Sequence, residues 1–229
     1  MLEKNNNYKL ICLLIFAFVL NGCTTRPTQS LPYDAWGVRI YAPDYMEIQI
    51  EAVVAVDMDD RVFANIGSGV AGQRYPNFFI AGVSEKLEGQ PAGWPKNPAG
   101  RGRRTLGAKL PKAIYVRWQS LVEPQTYHVV IPIPDSTRAL MLEKEETRCW
   151  PGSTVKTQYR KWLTVGLAPG GIAKVWARSS CLSAIEVLRV QGVIHPKGPM
   201  GGQAGFKYRK LHEESRAYIE RFGIPYGSW

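Results

Sequence analysis

The side chains that could do chemistry are few and scattered. Histidine occurs three times, at His128, His195 and His212, in segments whose patterns read as a strand, a loop and a helix. None has the C-x-x-C or H-x-x-x-H spacing that brings metal ligands together locally, so no metal site is expected. His128 is placed on the wet or edge face of its strand, and His212, beside Glu213 and Glu214, is expected to be solvated. Neither G-x-S-x-G nor H-E-x-x-H is present, which removes the local signatures of a nucleophile elbow and of a zinc protease helix. Gly67-Ser68-Gly69-Val70-Ala71-Gly72 does satisfy G-x-G-x-x-G, but a dinucleotide cradle must open a helix within a βαβ unit. Here Gln73-Arg74-Tyr75-Pro76 follows, with a proline and no helical period. The stretch reads as a flexible loop, and no cofactor and no catalytic residue is expected. A Ser–His or Cys–His pair that meets only in three dimensions stays open at this point.

Cysteine is more informative. Residues 1–9 are polar and include Lys4 and Lys9, and Leu10 to Leu20 then carries no charge. That run is too short for a spanning helix, which needs roughly 20 apolar residues, but it fits the core of a secretory signal peptide. It ends in Leu20-Asn21-Gly22-Cys23, which resembles the lipobox of bacterial lipoproteins. The resemblance implies that the Cys23 thiol receives diacylglycerol, that residues 1–22 are cleaved away, and that the freed amine is acylated in turn. One chain anchors only marginally at about 0.8 kcal/mol per buried CH₂, so several chains are needed for stable attachment. Thr24 follows where an aspartate would resemble an inner-membrane retention signal. The expected location is the periplasmic face of the outer membrane.

Removing residues 1–22 leaves 207 residues and changes the formal charge from +10 to +9, because Glu3, Lys4 and Lys9 leave with them. That length suits one domain with a substantial core. A charge of this size acts on solubility and on attraction to anionic surfaces rather than on fold. In an exported lipoprotein, the anionic neighbours are lipid head groups or an acidic protein, so no nucleic-acid partner is expected. With Cys12 cleaved and Cys23 lipidated, Cys149 and Cys181 remain. They either form one disulfide, which the oxidising periplasm permits, or stay as separate buried thiols. The disulfide is the slightly favoured of the two.

The elements that would position these groups are mostly strands. Residues 23–32 read as a lipidated tether and 33–229 as a single β-rich domain. Met46, Ile48 and Ile50 alternate with Glu47, Gln49 and Glu51, which predicts a strand over Tyr45 to Asp57 with one wet face. Asp57-Met58-Asp59-Asp60 then turns the chain into a hairpin with 61–66. Lys112 to Trp118 and Thr126 to Pro134 predict another hairpin, with Pro132 and Pro134 at a strand end or edge. Trp162 to Leu167, Ala168-Pro169-Gly170-Gly171 and Ile172 to Ala177 form the clearest hairpin, since Pro fixes φ and Gly supplies positive φ at the tip. A strand follows over 184–194. Asp135-Ser136 should cap a short helix over 136–146, and the spacing of Phe206, Leu211, Tyr218, Ile219 and Phe222 predicts a helix over 206–223, stopped by Gly223. The expectation is a mainly β fold: an antiparallel sheet or β-sandwich with a short mid-chain helix and a C-terminal helix.

Residues 67–110 are loop-rich, and within them lies the densest basic stretch, Arg101-Gly102-Arg103-Arg104, beside Trp94 and Lys96. These five side chains are the candidate contacts for an acidic partner or for lipid head groups, with Trp94 as an anchor. The opposite reading is a solvated mobile loop. Trp118, Trp162 and Trp176 sit in strand patterns and are expected in the core.

The chain is also similar to a family of Gram-negative lipoproteins of unassigned function. The similarity rests on Trp36-Gly37 with Ala42-Pro43, and on Lys109-Leu110-Pro111 leading into Val116-Arg117-Trp118-Gln119-Ser120-Leu121-Val122-Glu123 and Tyr127. It continues in Gly166-Leu167-Ala168-Pro169-Gly170-Gly171 and Val175-Trp176. Members resemble immunity lipoproteins encoded near type VI secretion phospholipase effectors. The resemblance implies a non-enzymatic protein-binding module that neutralises a secreted lipase toxin. The alternative is an envelope structural or assembly lipoprotein that binds anionic lipid or lipopolysaccharide.

Overall fold

Alternation of apolar and polar side chains dictates the strands. On β6 (Pro111–Ser120), Ile114, Val116 and Trp118 are fully buried while the residues between them face away from the core. The computed structural model describes residues 30–73 and 93–229, so Cys23 and the lipobox lie outside the described residues. Residues 31–229 form one unit.

Two sheets pack face to face. Sheet I has the order β12 (Ile185–Gln191), β11 (Ile172–Arg178), β10 (Trp162–Ala168), β1 (Gly37–Tyr41), β5 (Arg101–Arg104). Sheet II has the order β13 (Val193–Ile194), β7 (Gln125–Pro132), β6, β2 (Ile48–Asp57), β3 (Val62–Phe63), with β4 (Gly69–Ala71) also pairing β2. A small third sheet joins β8 (Glu145–Thr147) to β9 (Lys156–Gln158). Every pair is antiparallel except β1 with β10, which run parallel. Val38, Ile40, Leu163, Val165 and Val175 of sheet I share one core with Ile48, Val53, Ile114, Val116 and Ile131 of sheet II. The chain is thus a mainly β sandwich with one mid-chain and one C-terminal helix.

The hairpin at residues 162–177 turns as its sequence dictates, with Gly170 and Gly171 both at φ 77°. Its tip presses on sheet II, where a Cβ at Gly171 would lie 2.8 Å from the Tyr127 ring, so only glycine fits.

Four local expectations are corrected. The mid-chain helix α1 is Asp135–Leu142 and follows Pro134, with no side-chain cap. It stops before Glu145 and Glu146, which join β8, and leaves Glu143 as the acid at its C-cap. The C-terminal helix α2 is Glu213–Phe222 rather than 206–223. Gly205 and Phe206 have positive φ, which breaks any helix there, and the Arg209 N–H donates to the Gln119 side chain at 3.1 Å, so the segment before α2 turns and is tied to sheet II instead of coiling. Gly69–Ala71, within the stretch read as a loop, is a strand on β2. The basic stretch 101–104 is likewise a strand, antiparallel to β1.

Candidate functional site

The predicted wet face of β2 is not wet. Glu47 is 1 % exposed and the Glu51 side chain is 0 % exposed. Glu51 is the extra residue of a β-bulge: Ile50 faces Trp118 and Ala52 faces Arg117 on β6. The bulge keeps both Ile50 and Val53 in the core and sets the Glu51 carboxylate on the outer side beside Arg117. One carboxylate oxygen lies 2.7 Å from Arg117 Nε. The other accepts from Gln119 Nε2 at 2.9 Å and from the Met200 N–H at 2.7 Å. That last bond holds Met200 at φ 53°, a left-handed conformation that a side chain rarely adopts.

The segment after β13 therefore lies over the outer face of sheet II. Arg117, His195, Pro196, Lys197, Met200, Gly201 and Gln203 line a cavity of about 380 Å³ there. His195 stands edge-on to His128, ring centres 5.1 Å apart, so two of the three histidines meet. Burial, then the Arg117 and His128 charges, hold the His195 imidazole below its ordinary value.

His212 is not simply solvated. Its Nδ1 lies 2.5 Å from the buried Glu47 carboxylate, whose other oxygen accepts from Ser215 Oγ at 2.5 Å. Glu47 thereby ties α2 to the start of β2, helped by Tyr218 stacked on Tyr45 at 4.1 Å. Glu123 plays a similar part, accepting from the Gly170 N–H at 2.9 Å and from the Tyr226 hydroxyl at 2.9 Å. Burial and that carboxylate push the Tyr226 hydroxyl up to about 12. Burial opposes charge on Asp57, yet N–H groups of Lys109, Arg61 and Asp59 and the Arg61 guanidinium hold its carboxyl below the usual range.

The outer face of sheet I is of another kind. On β1, Val38 and Ile40 point inward and Arg39 outward, with its guanidinium 4.1 Å above the Trp162 ring. Burial and the neighbouring Arg104 lower the pKa of Arg39, and burial and Arg39 lower that of Arg178. Three guanidinium groups thus crowd together, and Arg104 pairs with Asp34. Arg101, Arg103 and Arg104 are all exposed on β5, the last strand of the sheet. Gly102 is required between them, because a Cβ there would sit 1.7 Å from the Val38 carbonyl oxygen. Among the described residues, no strand pairs with the free side of β5 and no carboxylate pairs with Arg101 or Arg103.

Of the sequence candidates, the structure brings Arg101, Arg103 and Arg104 onto one strand. Lys96 is exposed. Trp94 is no protruding anchor: its ring packs 5.1 Å from Trp176 and 6.2 Å from Tyr41, over Gly166, on the outer face of sheet I. Trp118 and Trp176 are buried, whereas Trp162 is only half-buried and carries Arg39. Cys149 and Cys181 are bonded, Cα atoms 4.6 Å apart. Among the described residues no group of three His, Cys, Asp or Glu side chains could hold a metal ion, and no helix is long and apolar enough to cross a membrane. Arg39, Arg178 and the Glu51–Arg117 pair were not singled out by sequence. The alternation around Glu51, Arg117 and Arg39 carries the strand-face signal for three of them, and nothing in it marks their partners.

Residues 23–227 match the profile of a family described as a protein of unknown function (DUF2931). No curated protein and no solved structure matches the chain.

Proposed function

The chain belongs to this DUF2931 family, and on that premise we propose that it is a non-enzymatic binding module, lipid-anchored through Cys23 on the periplasmic face of the outer membrane. Its β5 edge takes an acidic protein partner. The observation that carries this reading is the free side of β5, where exposed Arg101 and Arg103 lack carboxylate partners among the described residues. An edge strand offers unpaired N–H and C=O groups, so a partner can add a strand there. Arginines at such an edge disfavour casual pairing and select for a strand bearing Asp or Glu. Together with the resemblance to immunity lipoproteins, this makes a secreted lipase toxin the partner class. Anchoring in the membrane such a toxin attacks would raise the local concentration of its inhibitor.

The test is co-purification of the full chain, in detergent, with the toxin encoded beside it. A complex that the paired substitutions Arg101→Glu and Arg103→Glu abolish supports the reading. Failure to bind any neighbouring toxin overturns it.

The second reading, an envelope factor that binds anionic lipid or lipopolysaccharide, is supported by a different observation. Basic and aromatic side chains interleave on sheet I, with Arg39 over Trp162 and the Lys174 ammonium 5.8 Å from the centre of the Trp176 ring. Retention of the detergent-solubilised chain on immobilised lipopolysaccharide, lost at high salt, would favour it.

A further inference from the structure

The outer face of sheet II carries a second, unassigned site on the opposite side of the sandwich from β5. We propose that the cavity between β6 and the 195–203 loop binds a phosphate monoester group, with the Arg117 guanidinium, His195 Nδ1 and Lys197 ammonium as its ligands.

Glu51 faces Arg117 through Nε, at 2.7 Å, and no hydrogen bond among the described residues takes the two terminal nitrogens of Arg117. His195 Nδ1 is buried without a hydrogen-bond partner, although the residue's backbone N–H is fixed on the Thr126 carbonyl at 2.9 Å. A buried polar atom left unpaired costs about 1–3 kcal/mol, so such an atom among residues that line a cavity points to a missing ligand. Lys197 is exposed on the same rim.

Charge decides the sign of that ligand. The charges that act most on His195 are those of Arg117, His128, Glu51 and Lys197. Glu51 is the only carboxylate among them, and Arg117, Gln119 and Met200 already surround it. A cation would meet Arg117 and Lys197 with nothing left to oppose them. An anion meets a guanidinium that is held in place by a buried carboxylate, which is the arrangement that limits the entropy lost on binding.

The number of donors decides the class. A carboxylate offers one charge and two oxygens, whereas a phosphate monoester carries about −1.5 to −2 at neutral pH and three strong acceptor oxygens. Two parallel bonds from the guanidinium fork and one each from His195 and Lys197 match that set. The cavity, at about 380 Å³, exceeds a bare phosphate and leaves room for the group that bears it. That bearer is either a lipid or a soluble molecule, and the experiment distinguishes them.

The test uses the full chain in neutral detergent, with histidine ring resonances followed by NMR. Inorganic phosphate is titrated in one arm, and nanodiscs doped with phosphatidic acid in the other. The expected result is a saturable shift of the His195 and His128 resonances in at least one arm, with the His195 pKa rising because the bound anion favours the imidazolium. Saturation by phosphate alone assigns a soluble ligand, and by the lipid alone a membrane one. Arg117→Lys would disturb Glu51 and the fold with it, so the deciding variants are His195→Gln and Lys197→Ala, each expected to weaken binding about tenfold. Histidine resonances indifferent to both probes, or affinities unchanged in both variants, overturn the proposal. A response to Zn²⁺ but not to phosphate also overturns it, in favour of a metal.

Discussion

The outer faces of the two sheets put charge to opposite uses. On sheet II the ions are carboxylates: Glu47 and Glu51 project from β2 and its approach, and both are sealed under the segment that follows β13. Each is surrounded by donors from distant parts of the chain, Ser215 and His212 in one case and Arg117, Gln119 and Met200 in the other. On sheet I the ions are guanidinium groups: Arg39, Arg104 and Arg178 crowd near Trp162, with Asp34 as the acid that Arg104 meets, while Arg101 and Arg103, paired with Ile40 and Val38, stand exposed at the β5 edge. The lesson is that charge on the outward side of a strand has no fixed meaning. Where a second segment crosses it, a buried carboxylate is partnered and becomes a structural hub, as Glu47 and Glu51 are, although the terminal nitrogens of Arg117 beside Glu51 still face the cavity. Where none crosses, the charge stays available to another molecule.

The comparison would break most visibly at Glu51. Glu51→Ala should destabilise the fold by about 3 kcal/mol, because the Arg117 guanidinium loses its counter-charge while the Gln119 amide and the Met200 N–H lose their acceptor. Urea unfolding measures this, and a change below 1 kcal/mol, less than one ordinary hydrogen bond, would remove Glu51 from the hub role.

Asp57, at the far end of β2, should show the next effect. Asp57→Asn is expected to cost about 2 kcal/mol at neutral pH. The folded-state pKa is depressed, so the contribution is present above the unfolded value of about 3.9 and disappears as pH falls through the lower folded value. Wild type and variant should therefore converge in strong acid, and curves that stay parallel would refute the account.

Asp44 sharpens the contrast from the other direction, because burial pushes its carboxyl up to about 6 rather than down. The charged form is disfavoured in the fold, so stability declines as pH rises from about 4 to 6. Asp44→Asn should raise the melting temperature at pH 7 and leave it unchanged below about pH 4, the reverse of Asp57→Asn. A scan of melting temperature against pH for both variants tests the pair.

The smallest stability effect should come from the most charged segment. Arg101→Glu with Arg103→Glu should change unfolding free energy by less than about 0.5 kcal/mol, as for other exposed positions, while abolishing partner binding. A large loss of stability would mean that β5 is structural and not a docking edge. Gly102→Ala separates the two roles, since it forces β5 off the Val38 carbonyl and should lose binding with all arginines intact.

Much of the fold was legible because its causes are local. The Pro169-Gly170-Gly171 turn fixes its hairpin through φ alone, and the alternation of Ile114, Val116 and Trp118 fixes which side of β6 is buried. Gly223 stops α2, with φ 74°, for the same kind of reason. The start of that helix was not legible, because the segment before it is tied at Arg209 to Gln119, ninety positions away in the chain.

By itself, then, the sequence determined the long strands β2, β6, β7, β10, β11 and β12, their turns and a mainly β fold, since alternation and turn chemistry act within a few residues, whereas β4 and β5 read as loop. It also determined that three arginines share one short stretch. Only the tertiary structure decided which of the polar faces stays open. Alternation tells that Glu47, Glu51, Arg39 and Arg117 point away from the core, but not whether another piece of chain will lie over them. That depends on contacts between residues far apart in sequence, such as Met200 with Glu51 and His212 with Glu47. Whether a charged side chain braces the fold or meets a partner is set by those contacts.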